Sequence, residues 1–150
     1  MTSSNPSRET CRLVDRRDGE RCVRCGTTYN WAGFSRHHRH LRSHPFPGLH
    51  LPSNLILLCG SGSNEGCHLW VHTHQREAMD NGWLVSGFND HPEQVPVMVY
   101  GKGLVLLDNM GGFTLCSKTK QSKRSTNCSA VPRPSISRYA GSTRWRRPDS

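Results

Sequence analysis

Apolar positions along this chain are sparse, and they come in short runs separated by punctuation. In "SRETCRLVDRRDGERC" (7–22) only Leu13 and Val14 give a charged stretch an apolar edge. Ser7 can cap a helix there and Asp18-Gly19 can end it, so a first helix is predicted. "CVRCG" (22–26) reads as a tight turn. "TTYNWAGFSRHHRH" (27–40) is rich in β-branched and aromatic residues around Gly33, which predicts a short hairpin whose second strand carries the histidines. "SHPFPGLHLPSN" has the proline and glycine content of an irregular loop, and "NLILLC" (54–59) that of a short buried segment. After the flexible "GSGSNEG", the run "CHLWVHTHQREAMDNG" predicts a helix ending at Asn81-Gly82. "GWLVS", "VPVMVY" and "GLVLLDN" are short strand candidates. From about Ser117 the apolar period disappears into Ser, Thr, Lys, Arg and Pro, as expected of a disordered tail. No internal repeat is visible.

A chain of 150 residues fits one domain, or a small domain plus a tail; at 33% hydrophobic its core must be small, and such cores usually need a metal or disulfides. The N-terminus is polar and lacks the apolar segment of a secretory signal, and "LILLC" is far too short to span a membrane. A cytoplasmic protein is therefore expected. In a reducing compartment its seven cysteines are metal ligands before they are disulfides.

The net charge of +9 is uneven. Residues 117–150 carry nine basic side chains against Asp149 alone, and residues 1–116 are nearly balanced. Within the body, nine arginines stand against four acids over 8–42. Two basic zones result, one around the histidine cluster and one in the tail, and both suit a phosphate backbone.

Cys22 and Cys25 form a CxxC, and Cys59 and Cys67 a second, wider pair. Two close pairs separated by a longer excursion are the usual supply of four thiolates to zinc. Cys11, Cys116 and Cys128 have no partner at metal spacing and read as free thiols. His68 and His72, at i and i+4 on a predicted helix, leave one face about 40° apart, which suits two ligands to one ion. His74 points elsewhere. His37 and His38 are adjacent on a predicted strand and leave on opposite faces. One of them can face an ion held by His68 and His72, and the other a substrate beside it.

These pieces in this order resemble the HNH endonucleases, the ββα-metal nucleases. The residues that carry the likeness are "CVRC" (22–25), "HH" (37–38), "NLILLC" (54–59) and "GCHLWVH" (66–72). The glycine-rich spacer before "GCH" is similar to HNH proteins of tailed bacteriophages. The resemblance implies an α+β fold: a zinc-stapled ββα-metal, treble-clef-like core over 8–82, after a disordered 1–7. A short β extension over 83–116 packed on that core and the basic tail 117–150 would follow. It implies His37, His68 and His72 as ligands of one catalytic divalent cation (Mn2+, Ni2+, Zn2+ or Mg2+), and Cys22, Cys25, Cys59 and Cys67 as ligands of a structural Zn2+. His38 would be the general base on water, with Asn54 orienting it through its side-chain carbonyl. Arg36, Arg39 and Arg42 flank these positions and are expected to grip DNA phosphates. The expected activity is metal-dependent DNA phosphodiester hydrolysis of low sequence specificity, and the phage likeness adds DNA packaging with terminase subunits as partners.

A zinc-containing DNA-binding module without catalysis also accounts for the cysteines and the basic tail. A two-Cys, two-His finger using Cys22, Cys25, His37 and His40 or His44 is a further reading, which leaves Cys59 and Cys67 unused.

Overall fold

The computed structural model describes residues 4–28, 33–62 and 64–116; the basic tail and its expected disorder lie outside them. Helix α1 spans Arg8–Asp18, with the Ser7 hydroxyl accepting from the Thr10 amide and Gly19 closing it in a left-handed conformation, the start and stop signals that the sequence carries. Strand β1 (Phe34–His38) pairs antiparallel with β2 (Leu55–Cys59), setting His37 opposite Ile56 and His38 opposite Leu55. The first strand of the expected hairpin about Gly33 lies mostly outside the described residues; among those described, the histidine strand takes a partner some twenty residues downstream, and Thr28 bridges Arg21. The wholly apolar "LILL" of β2 can be buried on both sides, which favours that pairing over a half-polar one.

Both faces of the ribbon are used. Ile56 and Leu58 join Cys67, Val71, Trp83 and Val97 in the central cluster, and α2 (Gly66–Thr73) packs on that side of β2. On the other side, α1 docks through a buried pair. Arg17 holds both oxygens of Asp18 and donates to the carbonyls of Pro52 and Leu55, while Asp18 accepts from the Leu57 amide at 2.8 Å.

The single predicted helix over 67–80 is two helices. Helix α2 stops at Thr73 and α3 covers Gln75–Asp80. The Trp70 carbonyl still accepts from the His74 amide at 2.8 Å, and the Thr73 hydroxyl, bonded back to the Leu69 and Trp70 carbonyls, and the His74 ring, at the Trp70 carbonyl, crowd in beside it, local side-chain bonds that compete with continuing the helix. "GWLVS" forms no strand beyond one bridge between Val85 and His40. Trp83 and Leu84 instead return their amides to Ala78 and close α3. Strands β3 (Val97–Val99), β4 (Gly103–Leu107) and β5 (Phe113–Leu115) make an antiparallel meander. The sequence reading did not pick out β5.

Residues 83–116 pack on the rest of the fold. Trp83, Leu84, Val97, Met98, Val99, Val105 and Leu107 share one buried cluster with β2 and α2. Residues Ser4–Pro6, expected to be disordered with the rest of 1–7, are placed beside the histidines. Cys116, read as a free thiol, is disulfide-bonded. Among the described residues no helix is long and apolar enough to cross a membrane.

Candidate metal centres

The first cluster is built where the Cys22–Cys25 turn meets the end of β2 and the start of α2. The Val23 amide donates to the Leu57 carbonyl at 2.8 Å, which pins the turn against β2. The long spacer between Cys59 and Cys67 closes on itself. Gly60 (φ 107°) and Gly66 (φ 63°) take conformations that suit glycine, and a Cβ on Gly60 would lie 2.0 Å from the Glu65 carbonyl oxygen. The Glu65 carboxylate accepts from both the amide and the hydroxyl of Ser61, bonds that hold its proton affinity below the usual carboxylate range. As a result the Cys67 amide reaches Cys59 Sγ at 3.4 Å.

All four sulfurs of Cys22, Cys25, Cys59 and Cys67 lie within 4.8 Å of one another, and Cys25 and Cys59 are 3.7 Å apart. A tetrahedron with zinc–sulfur bonds of about 2.3 Å has edges of about 3.8 Å. The donor set and its size therefore fit a structural metal such as zinc. Four thiols this close cannot titrate independently. Hydrogen bonds from Cys22, Cys59 and Cys67 push Cys25 down, and hydrogen bonding led by Cys22 brings Cys59 to about 7. Arg24 adds positive charge, its guanidinium 3.3 Å from Cys67 Sγ and 3.8 Å above the Trp70 ring. The finger reading is not realised, since Cys22 and Cys25 are grouped with Cys59 and Cys67.

The second cluster unites β1 with α2. The rings of His37, His68 and His72 have centroids 4.9 to 5.3 Å apart, and one nitrogen from each lies within a 4.8 Å set. His37 is 2% exposed, and its Nε2 meets the Trp83 carbonyl at 3.0 Å. Only an N–H can serve a carbonyl, so Nδ1 carries the lone pair. A carbonyl fixing the tautomer in this way is the usual support of a metal-ligating imidazole. Burial, then the neighbouring His68 and His72, push His37 well below the ordinary histidine range. Burial also lowers His68, with His72 assisting, and it lowers His72. All three rings are neutral near pH 7, the form that a cation needs.

His38 leaves the strand on the other side, as the alternation requires. Its Nε2 lies 3.0 Å from His50 Nδ1. Burial first, then the charges of His50 and Arg42, bring it down to about 4. A pocket of about 600 Å³ is lined by His37, His38, His68, His72, Arg36 and Arg42, with Asn5 and Cys11 on its wall.

Other expected site residues are placed differently. Asn54 is fully buried and does not hold the His38 ring. Its Oδ1 accepts from the His40 amide at 2.7 Å, and its Nδ2 donates to the carbonyls of His40 and Leu49. Arg39 is fully buried, its guanidinium spread over the carbonyls of Gly82, Ser53, Pro92 and Val95, so it cannot meet a phosphate. Arg36 lines the pocket but is held by both oxygens of Asp15. Arg42 is exposed at the rim and touches the Ser4 carbonyl. His40 lies buried against Phe46, 4.5 Å between centroids, and not beside a phosphate site. The sequence reading missed His50. It sits in a proline-rich loop with no spacing relation to His38, so no pattern could have found it.

No family model matches this chain, and no curated protein or solved structure matches it.

Proposed function

We propose that the protein is a metal-dependent DNA endonuclease of the HNH type, hydrolysing phosphodiester bonds with little sequence preference. The observation that carries the reading is the convergence of His37, His68 and His72 in one pocket that a fourth, differently supported histidine, His38, also lines. A structural metal needs three or four ligands and no neighbouring base, whereas hydrolysis needs both.

A divalent cation on the three imidazoles would polarise the scissile phosphate and stabilise the departing oxygen. His38, neutral near pH 7, accepts the proton of a water whose oxygen attacks phosphorus, and the phosphorus–oxygen ester bond opposite breaks. A base held down to about 4 is weak, but a phosphodiester anion beside it favours the imidazolium and moves its affinity back toward the working pH. Arg42, at the rim, supplies a charge to an adjoining phosphate. The four-cysteine cluster holds the first turn of α2, and with it His68, against β2.

Cleavage of supercoiled plasmid tests this. With Mn2+ the wild-type chain should nick DNA, and EDTA should stop it. His38→Ala should lower the rate at least about 100-fold while DNA binding persists. A His38→Ala protein that nicks at the wild-type rate would sink the role given to His38. Retained binding with no cleavage by the wild type would favour a zinc-containing DNA-binding module instead, the reading that the cysteines alone would support.

A further inference from the structure

The loop between β1 and β2 carries a device that the catalytic reading does not use. We infer that His50 is a positioning residue for His38, and that Asn54 ties the loop carrying His50 to the strand carrying His38. The inference rests on the nuclease reading for its consequence, but its geometry stands apart from it.

Three observations link up. First, His38 Nε2 and His50 Nδ1 are 3.0 Å apart, with the rings nearly perpendicular at 74°. One nitrogen must donate and the other accept. If His38 donates, its Nε2 is the protonated nitrogen and Nδ1 keeps the lone pair for water. If His50 donates, His38 is protonated on Nδ1 and has no lone pair left to work with. The productive pair is therefore His38 Nε2–H donating to His50 Nδ1.

Second, His50 is held where that bond requires. The Leu49 amide donates to the Phe46 carbonyl and the Leu51 amide to the Gly48 carbonyl, each at 3.0 Å. Gly48 leaves room for the Phe46 ring, which a Cβ there would meet at 2.6 Å and push aside. Phe46 is in turn packed on buried His40.

Third, Asn54 ties the two ends together. One amide group clamps the backbone of His40, two residues after His38, and the Leu49 carbonyl, one residue before His50. It fixes the distance between the strand that carries the base and the loop that carries its partner. The orienting asparagine expected from the sequence thus works through the backbone and a second imidazole.

The test uses the full chain with zinc bound. Long-range nitrogen-15 spectra of the histidine rings report which nitrogen of His38 is protonated, without any need for cleavage. The wild type should show His38 as the Nε2–H tautomer. His50→Ala should convert it to a mixture, while His50→Asn, whose amide oxygen reproduces the acceptor at Nδ1, should restore it. In plasmid cleavage with Mn2+, His50→Ala should lower kcat about 10- to 100-fold with KM nearly unchanged, and His50→Asn should recover most of it. His38→Ala and His38→Ala/His50→Ala should be equally slow. An unchanged His38 tautomer in His50→Ala overturns the inference, and so does an additive double variant. A wild type with the expected tautomer and no cleavage overturns the nuclease reading and leaves the His38–His50 pair standing.

Discussion

Three arginines at positions 36, 39 and 42 look equivalent in the sequence, spaced three apart beside the histidines. Their surroundings separate them. Arg36 is half in the α1 contact through Asp15, and Arg42 is exposed at the rim of the pocket. Arg39 is buried in the centre, its cation held down to about 9 by burial and by nearby Arg17. It persists there because four carbonyls from three otherwise separate segments converge on it. Removing the guanidinium leaves those carbonyls buried without a donor, which costs far more than the loss of a surface charge. Arg39→Ala should therefore destabilise the fold by on the order of 3 kcal/mol or more, read as a fall in the urea midpoint. Arg42→Ala should leave that midpoint in place and raise KM for a DNA duplex several-fold. Equal midpoints for the two variants would mean that Arg39 is not the hub described.

At the level of elements, α2 belongs to both metal clusters. Its first turn supplies Cys67 and His68 in succession, and its second supplies His72. Loosening the start of α2 should disturb the histidine set, while removing a histidine should not disturb the sulfurs, which are also held by β2 and the Cys22–Cys25 turn. Cys67→Ser should thus lower zinc content and weaken Mn2+ binding by about tenfold or more, as the loss of support around a ligand does. His68→Ala should weaken Mn2+ binding and leave the zinc content whole. Metal analysis beside Mn2+ titration reads both, and a Cys67→Ser protein with normal Mn2+ affinity would refute the dependence. The elements of this unit were legible from the sequence wherever the signal is local: Ser7 and Gly19 at the ends of α1, the CxxC turn, the i, i+4 histidines. The cysteine quartet and the His68–His72 pair were legible because ligand chemistry demands grouping, whereas the choice of His37 over His38 as their companion came only from the family resemblance. The partner of β1, the break at His74 and the fate of Arg39 were not, because each depends on which distant carbonyl or strand happens to be adjacent.

For the molecule as a whole, the pocket is a concentration of imidazoles that the fold holds neutral. His37, His38, His68 and His72 all bind protons less readily in the folded chain than an ordinary histidine does, burial being the first cause for each. The sign of the consequence follows from proton counting. Below about pH 6.5 the unfolded chain takes up protons that the folded chain refuses. Stability from these groups is fully present above that pH, and it is lost as pH falls toward the folded values, about 4 for His38. With the histidine site emptied of cation and the four-cysteine cluster loaded, the urea midpoint should fall steadily from pH 6.5 to 4. A cation bound to the three rings should steepen that dependence, because protons then compete with it as well. His38→Gln, which keeps a polar side chain but cannot titrate, should flatten the slope of the cation-free protein in this window. A midpoint independent of pH between 6.5 and 5 would show that the rings are solvated in solution and are not held neutral by the fold.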